Sequence, residues 1–344
     1  MERVSIIGAG SWGTAQAVML AQKGLKVNMW TCEKEVVEEI NTKRTNQAYL
    51  PGVQIPEGIT VYPTIAETVK NATTVVMGVP SHAFRETLIK VVPFLNSEQV
   101  VVNTAKGIEE STLKRLSEVF IEETDKELHK NFAVLSGPSH AEEVGRGIPT
   151  TVLVAGKSRE VCERAQDLYM SPRFRVYTNP DLVGVEIAGA LKNVIAICTG
   201  ISDGLEFGDN TKAALLTRGL AEISRLGVAL GANPLTFAGL AGVGDLVVTC
   251  TSMHSRNRRF GIEIGKGKTV EQALESVRMV VEGYRTTGAA YRLGQDTGVS
   301  MPITEQAYAV LYKGENTVES VSKLMMRGRK HEIEEVVRTE YPEW

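Results

Sequence analysis

Val4-Ser5-Ile6-Ile7-Gly8-Ala9-Gly10-Ser11-Trp12-Gly13 begins as a β-branched strand pattern, breaks into Gly-x-Gly-x-x-Gly, and continues from Thr14 to Lys23 as a helical pattern. The three glycines therefore fall at a strand-turn-helix junction, the setting in which this spacing has physical meaning. Gly8 permits the tight turn, Gly10 lets backbone approach a pyrophosphate, and Gly13 lets helix and strand pack closely. Ser11 and Trp12 sit at the helix N-terminus, whose unbonded N–H groups favour an anion. The stretch predicts a dinucleotide-binding domain.

Beyond it, strand patterns alternate with helical ones: residues 26–30, 73–79, 99–104 and 132–136, with 150–155 and 174–178 extending or edging the sheet around a helix from Val161 to Tyr169. Such alternation reads as βαβ units on a parallel sheet. After Asn179-Pro180 the pattern turns helical, over Leu182 to Gly200, Thr211 to Leu230, Thr269 to Val277, Thr286 to Thr297 and Val318 to Met326. The expected fold is α/β: an N-terminal Rossmann-type doubly wound parallel sheet over residues 1–180, then a mostly helical C-terminal domain over 181–344. Val337 to Trp344 reads as a loose tail.

The bulk properties narrow the function. With 38 Lys+Arg against 41 Asp+Glu, the net charge is −3, so no global field draws the chain to nucleic acid or to an anionic membrane. Cys32, Cys162, Cys198 and Cys250 form no Cys-x-x-Cys pair, which argues against a zinc site and a disulfide framework and points to a reducing cytoplasm. His82, His140 and His254 lack metal-ligand spacing, so no metal is expected. The first apolar run is too short for a signal peptide, and no apolar stretch approaches the roughly 20 residues of a membrane span.

Several residues carry candidate chemistry. Cys32-Glu33-Lys34 follows the second strand, and Glu33 stands about 20 residues past Gly13, where a carboxylate binds the adenosine ribose of NAD. Lys34 beside it suits the phosphate of NADP, so both coenzymes stay open. Lys192 has Ala188 and Ala196 one turn to either side; dehydration there would lower its pKa toward general acid–base work, and a stem snorkelling along the helix is the alternative. Lys106 follows the strand ending at Thr104, at the sheet edge where ligands bind in open α/β folds. Gly137 and Ser139 lie at the next such edge, and Ser139 with Glu142 also fits a capping box. Asp245 reads either as a helix cap or as a partner for Lys192. Ser255, Arg256 and Asn257 supply a hydroxyl, a planar fork and an amide suited to phosphate oxygens, whereas Arg258 and Arg259 read as a solvated face.

Eight blocks in order, GAGSWGTA (8–15), AKGIE (105–109), GPSHAEEV (137–144), LKNVIAI (191–197), DGLEFGDNTKAALLTRGLAE (203–222), GLAGVGDLVVTC (239–250), SRNRRFG (255–261) and VEGYRT (281–286), resemble the bacterial NAD(P)-dependent glycerol-3-phosphate dehydrogenases. The resemblance spans nearly the whole chain. It implies reversible reduction of dihydroxyacetone phosphate to sn-glycerol 3-phosphate for phospholipid synthesis, a cytoplasmic homodimer, and NAD or NADP as cofactor. It further implies Lys192 as the proton-exchanging residue, with Lys106, Gly137, Ser139, Asp245, Ser255, Arg256 and Asn257 around the substrate. Ser11, Trp12, Lys106, Ala141, Arg256, Val280 and Glu282 would contact the cofactor, with Cys32 and Glu33 near its adenosine ribose. The chain departs from the family pattern at Cys32-Glu33, where a basic residue is frequent, and at His140, where an aromatic such as Phe is usual. An enzyme of related architecture acting on a hydroxy acid or phosphogluconate, and a silent NAD(P)-binding sensor, are the rival readings.

Overall fold

The computed structural model describes residues 2–329 and 331–332; the tail expected from Val337 to Trp344 lies outside them. β1 (Arg3–Ile7) leads into α1 (Ser11–Gln22), β2 (Lys26–Trp30) into α2 (Lys34–Lys43), β3 (Ile59–Tyr62) into α3 (Ile65–Val69), and β4 (Thr74–Met77) into α4 (Phe84–Val91). β5 (Val100–Asn103) leads into α5 (Leu116–Glu123), β6 (Phe132–Ser136) into α6 (Ala141–Gly145), and β7 (Thr150–Gly156) into α7 (Arg159–Tyr169), before β8 (Phe174–Asn179).

The eight strands form one sheet in the order β3-β2-β1-β4-β5-β6-β7-β8. Its first six members follow the doubly wound order, whose direction switches between β1 and β4 and so opens a crevice at their carboxyl ends. All pairs among these six are parallel, but β7 runs antiparallel to β6 while β8 is parallel to β7. The all-parallel expectation is thus corrected at the far edge. Every residue of β4, β5 and β6 is buried, as strands covered by helices on both faces must be. β3 escaped the sequence reading because its four residues, ITVY, stand between Gly58 and Pro63 on the sheet edge.

The rest is α8 (Leu182–Gly204), α9 (Gly208–Ala229), a π-helical turn (Leu240–Gly244), α10 (Asp245–Thr251), α11 (Arg256–Gly265), α12 (Val270–Val277), α13 (Glu282–Thr297), α14 (Pro302–Lys313) and α15 (Thr317–Met325). Asp181 starts α8 just after Asn179-Pro180: its Oδ1 accepts from Gly184 N (2.9 Å), while Oδ2 accepts from Asn233 N (2.9 Å) and Thr236 Oγ1 (2.6 Å). α8 is the axis of this region. Its 23 residues, with a mean hydropathy of 1.6 over their most apolar window, are long and apolar enough to cross a membrane, contrary to the expectation that no stretch is; yet 89% of that window is buried inside the protein. Glu186, buried on α8, accepts from Ser117 N (2.8 Å) and Arg115 Nη1 (3.2 Å) and so fastens the helix to the start of α5.

Candidate active site

The glycine turn makes the tight turn and the close helix–strand packing read from its spacing, and leaves open the space expected over Gly10. Gly8 has φ of +118°, and a Cβ on it would lie 2.8 Å from the Gly78 carbonyl oxygen at the end of β4. A Cβ on Gly13 would lie 2.1 Å from the Gly8 oxygen, so only glycine lets α1 pack this close to the turn. Over Gly10 the space is open. The first turn of α1 holds no acidic side chain, and Ser11 Oγ is buried there without a hydrogen-bond partner. An exposed helix N-terminus, an unfilled space and an orphaned hydroxyl are what a pyrophosphate requires; these residues fit a dinucleotide.

From this turn a cavity of ≈ 400 Å³ runs between sheet and helices. One end is lined by Cys32 and Glu33, whose Oε1 accepts from the Tyr49 hydroxyl (2.8 Å). The other is lined by Lys106, Ser139, Lys192, Ser255, Arg256 and Asn257. Trp12, Ala141, Val280 and Glu282 complete the wall at positions named above for the cofactor. Glu282, at the start of α13, accepts from Ser81 N (2.9 Å) and Ser81 Oγ, joining α13 to the loop after β4.

The buried charges meet beside the second end. Lys192, only 6% exposed on α8, donates from Nζ to Asp245 Oδ1 and to Thr249 Oγ1 (2.8 Å). Lys106 reaches the other Asp245 oxygen (2.7 Å) and the Gly137 carbonyl (3.0 Å). Burial pulls the Lys192 amine down to about 7; Asp245 opposes the shift and Lys106 adds to it. Burial works to raise the Asp245 carboxyl, but the two ammonium groups outweigh it and hold it below the usual range. One carboxylate shared by two lysines leaves a cationic pair facing the cavity, with one member able to exchange a proton near neutrality.

The anion end is built differently. Ser255 caps α11, its Oγ accepting from Arg258 N (3.2 Å), which leaves the N–H groups of Arg256 and Asn257 without an intrahelical acceptor. Arg256, the first residue of α11, lines the cavity without an ion pair among the described residues; burial lowers its pKa. Asn257 donates to Asn193 Oδ1 (2.9 Å) and accepts from Gly283 N (2.8 Å), leaving one amide N–H for a ligand. A helix N-terminus crowned by an unpaired guanidinium suits a phosphate dianion.

Residues 3–162 and 181–322 match the models for the N-terminus and C-terminus of NAD-dependent glycerol-3-phosphate dehydrogenase. The chain belongs to this family. It is 59% identical to a glycerol-3-phosphate dehydrogenase (NAD(P)+) of Pelotomaculum thermopropionicum, covering 97% of this chain and 96% of that one. Against the Moorella thermoacetica relative of the same description, identity is 57%, with 97% and 98% covered. The crystal structure of glycerol-3-phosphate dehydrogenase from Coxiella burnetii superposes with a TM-score of 0.90 at 38% identity, covering 95% of this chain and 99% of that one.

Within this member of the dehydrogenase family, the structure settles several alternatives left open by sequence. Asp245 is no cap: α10 has Gly244 before it and no side-chain cap, and the carboxylate goes to the lysines. Lys192 does not snorkel. The Ser139–Glu142 capping box does not form, since α6 starts after His140 without a side-chain cap and Ser139 Oγ donates back to the Gly137 carbonyl (2.9 Å). Gly137 itself lies behind the cavity wall, presenting its carbonyl to Lys106. Gly13 likewise acts through packing. Arg258 is no solvated face: it pairs with Asp203 (2.7 Å) and donates to the Thr251 carbonyl (2.6 Å). Three participants were missed. Thr249 stands four residues after Asp245, a helical spacing that could have revealed it, whereas Asn193 and Ser81 carried no sequence signal. His140 lines the cavity, with Nε2 3.4 Å from the Val248 carbonyl oxygen and its ring 5.8 Å from that of His254; burial and then Lys192 lower its pKa.

Proposed function

We propose that this chain reversibly reduces dihydroxyacetone phosphate to sn-glycerol 3-phosphate with NAD(H) or NADP(H), as a cytoplasmic homodimer that feeds phospholipid synthesis, with residues 1–180 as the dinucleotide-binding unit and 181–344 as the substrate-binding and catalytic one. Neither nucleic acid nor a membrane enters this reading. The observation that carries it is the buried Lys192–Asp245–Lys106 cluster, set between a helix N-terminus fit for pyrophosphate and the Arg256 end of α11 fit for a phosphate ester.

When bound, a reduced nicotinamide supplies the hydride. Lys192 donates a proton to the ketone oxygen as it becomes the alcohol and regains one from water. Asp245 fixes the amine's direction, and Thr249 fixes it from a second side. Lys106 places a second positive charge where negative charge develops, the kind of preorganised donor whose loss costs about 2.7–4 kcal/mol in a studied case. Arg256, Asn257, Ser255 and Ser139 hold the substrate's oxygens, turning remote binding into orientation at the carbonyl. Arg256→Ala accordingly raises the KM for dihydroxyacetone phosphate by roughly 10–100-fold, the loss of a charge-assisted hydrogen bond of about 1.5–3 kcal/mol, while kcat changes much less; an unchanged KM in steady-state assays removes Arg256 from the phosphate.

The pH dependence has a definite sign. Reduction needs the Lys192 ammonium, so its kcat falls as pH rises through about 7, whereas oxidation needs the free amine and speeds up over the same interval. Stopped-flow rates in both directions from pH 5.5 to 9 test this; a reduction rate flat across that range contradicts the role given to Lys192.

Glu33, held by Tyr49 at the end of β2, accepts from a ribose hydroxyl and repels a 2′-phosphate. Initial rates with dihydroxyacetone phosphate are therefore higher for NADH than for NADPH. Oxidation of neither coenzyme overturns the proposed reaction, and a preference for NADPH transfers the selection to Lys34.

A further inference from the structure

A second cavity is larger than the cofactor cleft. It measures ≈ 580 Å³ and lies in the helical region among α8, α9, α14 and α15, inside the range of about 300–1,000 Å³ common to small-molecule sites. Ile201, Leu215, Ile303, Val310, Val321 and Leu324 give it an apolar wall. Ile303 is 5% and Val310 9% exposed on its floor, while Met325 on its rim is 80% exposed. Three polar atoms in this lining are buried without a hydrogen-bond partner: Ser202 Oγ, Arg225 Nε and Gln306 Oε1. Buried polar atoms are rarely left unsatisfied, and the two that can donate, Ser202 Oγ and Arg225 Nε, point to an occupant with an accepting head. Ser202 is 3% exposed.

Charge identifies that end. Arg218 and Arg225 stand two turns apart on one face of α9, both line the cavity, and neither has an ion pair among the described residues. Arg218 donates to the Glu332 carbonyl (2.9 Å) and Arg225 to the Ser300 carbonyl (3.1 Å), and Arg225 also acts on the nearby Glu222 carboxyl. Of the carboxylates in the lining, Glu222 is already committed to the N-terminus of α14, accepting from Ile303 N (2.6 Å) and Thr304 N (3.2 Å).

We propose that the space between α9, α14 and α15 is a second ligand site, which takes a single aliphatic chain bearing an anionic head, the chain against the apolar wall and the head on Arg225, Arg218 and Ser202. Ser202 follows Lys192 on α8 by ten residues, on the order of 15 Å along the axis, so this site is separate from the cofactor cleft and independent of the reading given to it.

Laurate, below its micellar concentration, is the probe, measured by titration calorimetry on the full chain with dodecanol and dodecyltrimethylammonium as head-group controls. We expect saturable binding of one laurate per chain, weakened more than tenfold by Arg225→Gln and abolished by Ala214→Trp, which fills the rim, with the rate of NADH oxidation unchanged in both variants. Dodecanol binds weakly and the cationic amphiphile least. Absence of saturable binding overturns the proposal, as does equal affinity for the cationic amphiphile. Competition of laurate with NADH assigns the binding to the cofactor cleft and also overturns it. So does an Ala214→Trp chain that sediments as a smaller assembly without laurate, since the occupant is then a second copy.

Discussion

Replacing Lys192 with methionine lowers the turnover number for dihydroxyacetone phosphate reduction by roughly 10²–10³-fold, the effect of losing one preorganised donor at a developing oxyanion. Methionine keeps an unbranched apolar stem in the site that burial has already made for Lys192, which limits the change to the amine. Asp245 keeps its second partner, Lys106 at 2.7 Å, so the variant does not strand a buried carboxylate, an error that costs about 3–5 kcal/mol elsewhere. NADH affinity, set at Gly10, Ser11 and Glu33, stays near that of the parent, and a fluorescence titration separates this from misfolding. A rate within tenfold of the parent, about 1.4 kcal/mol, moves proton donation to Lys106. Asp245→Asn behaves differently: two lysines then face each other without their shared counter-ion, so stability and rate fall together.

What the sequence made legible was local. Gly8, Gly10 and Gly13 lie within ten residues of β1; Gly8 and Gly13 do what their spacing implied, and Gly10 leaves its space open. Lys192 was marked by its small neighbours, yet its burial could not be separated from snorkelling until Asp245, 53 residues away, was seen to hold it. The bond between Ser81 and Glu282 crosses 201 residues and left no trace in either neighbourhood. α11 went unread as a helix because its first turn, Arg256-Asn257-Arg258-Arg259, advertises charge, while one of its three arginines, Arg258, is folded onto Asp203 and the neutral Asn257 turns onto Asn193. The reversed edge of the sheet was hidden for a related reason. Neither the buried apolar run of β7 nor the alternation of β8 carries a direction, and only their pairing fixes it.

Exchanging Gly261 for alanine destabilises the protein by about 1–3 kcal/mol, the usual cost of overpacking, although helix propensity alone predicts a gain of about 1 kcal/mol for glycine to alanine. The sign decides between the two. α8 and α11 cross through paired glycines four residues apart, Gly200 with Gly204 and Gly261 with Gly265. A Cβ on Gly261 would stand 2.1 Å from the Ile197 carbonyl oxygen, and one on Gly200 2.2 Å from that of Arg258. Gly204 and Gly265 repeat the arrangement at 2.4 Å from Ile262 and Ile201 oxygens. These neighbours are helix backbone and cannot rotate aside, so the axes must part. Because α8 carries Lys192 and α11 carries Arg256, parting them also pulls the proton donor from the phosphate end, and kcat falls with the melting temperature. The double variant Gly200→Ala/Gly261→Ala loses less than the sum of the singles, since the second methyl enters space that the first has opened. Additive losses in chemical denaturation would place the two glycines in independent sites, and a stabilised Gly261→Ala would show that backbone propensity, not contact across the crossing, governs this position.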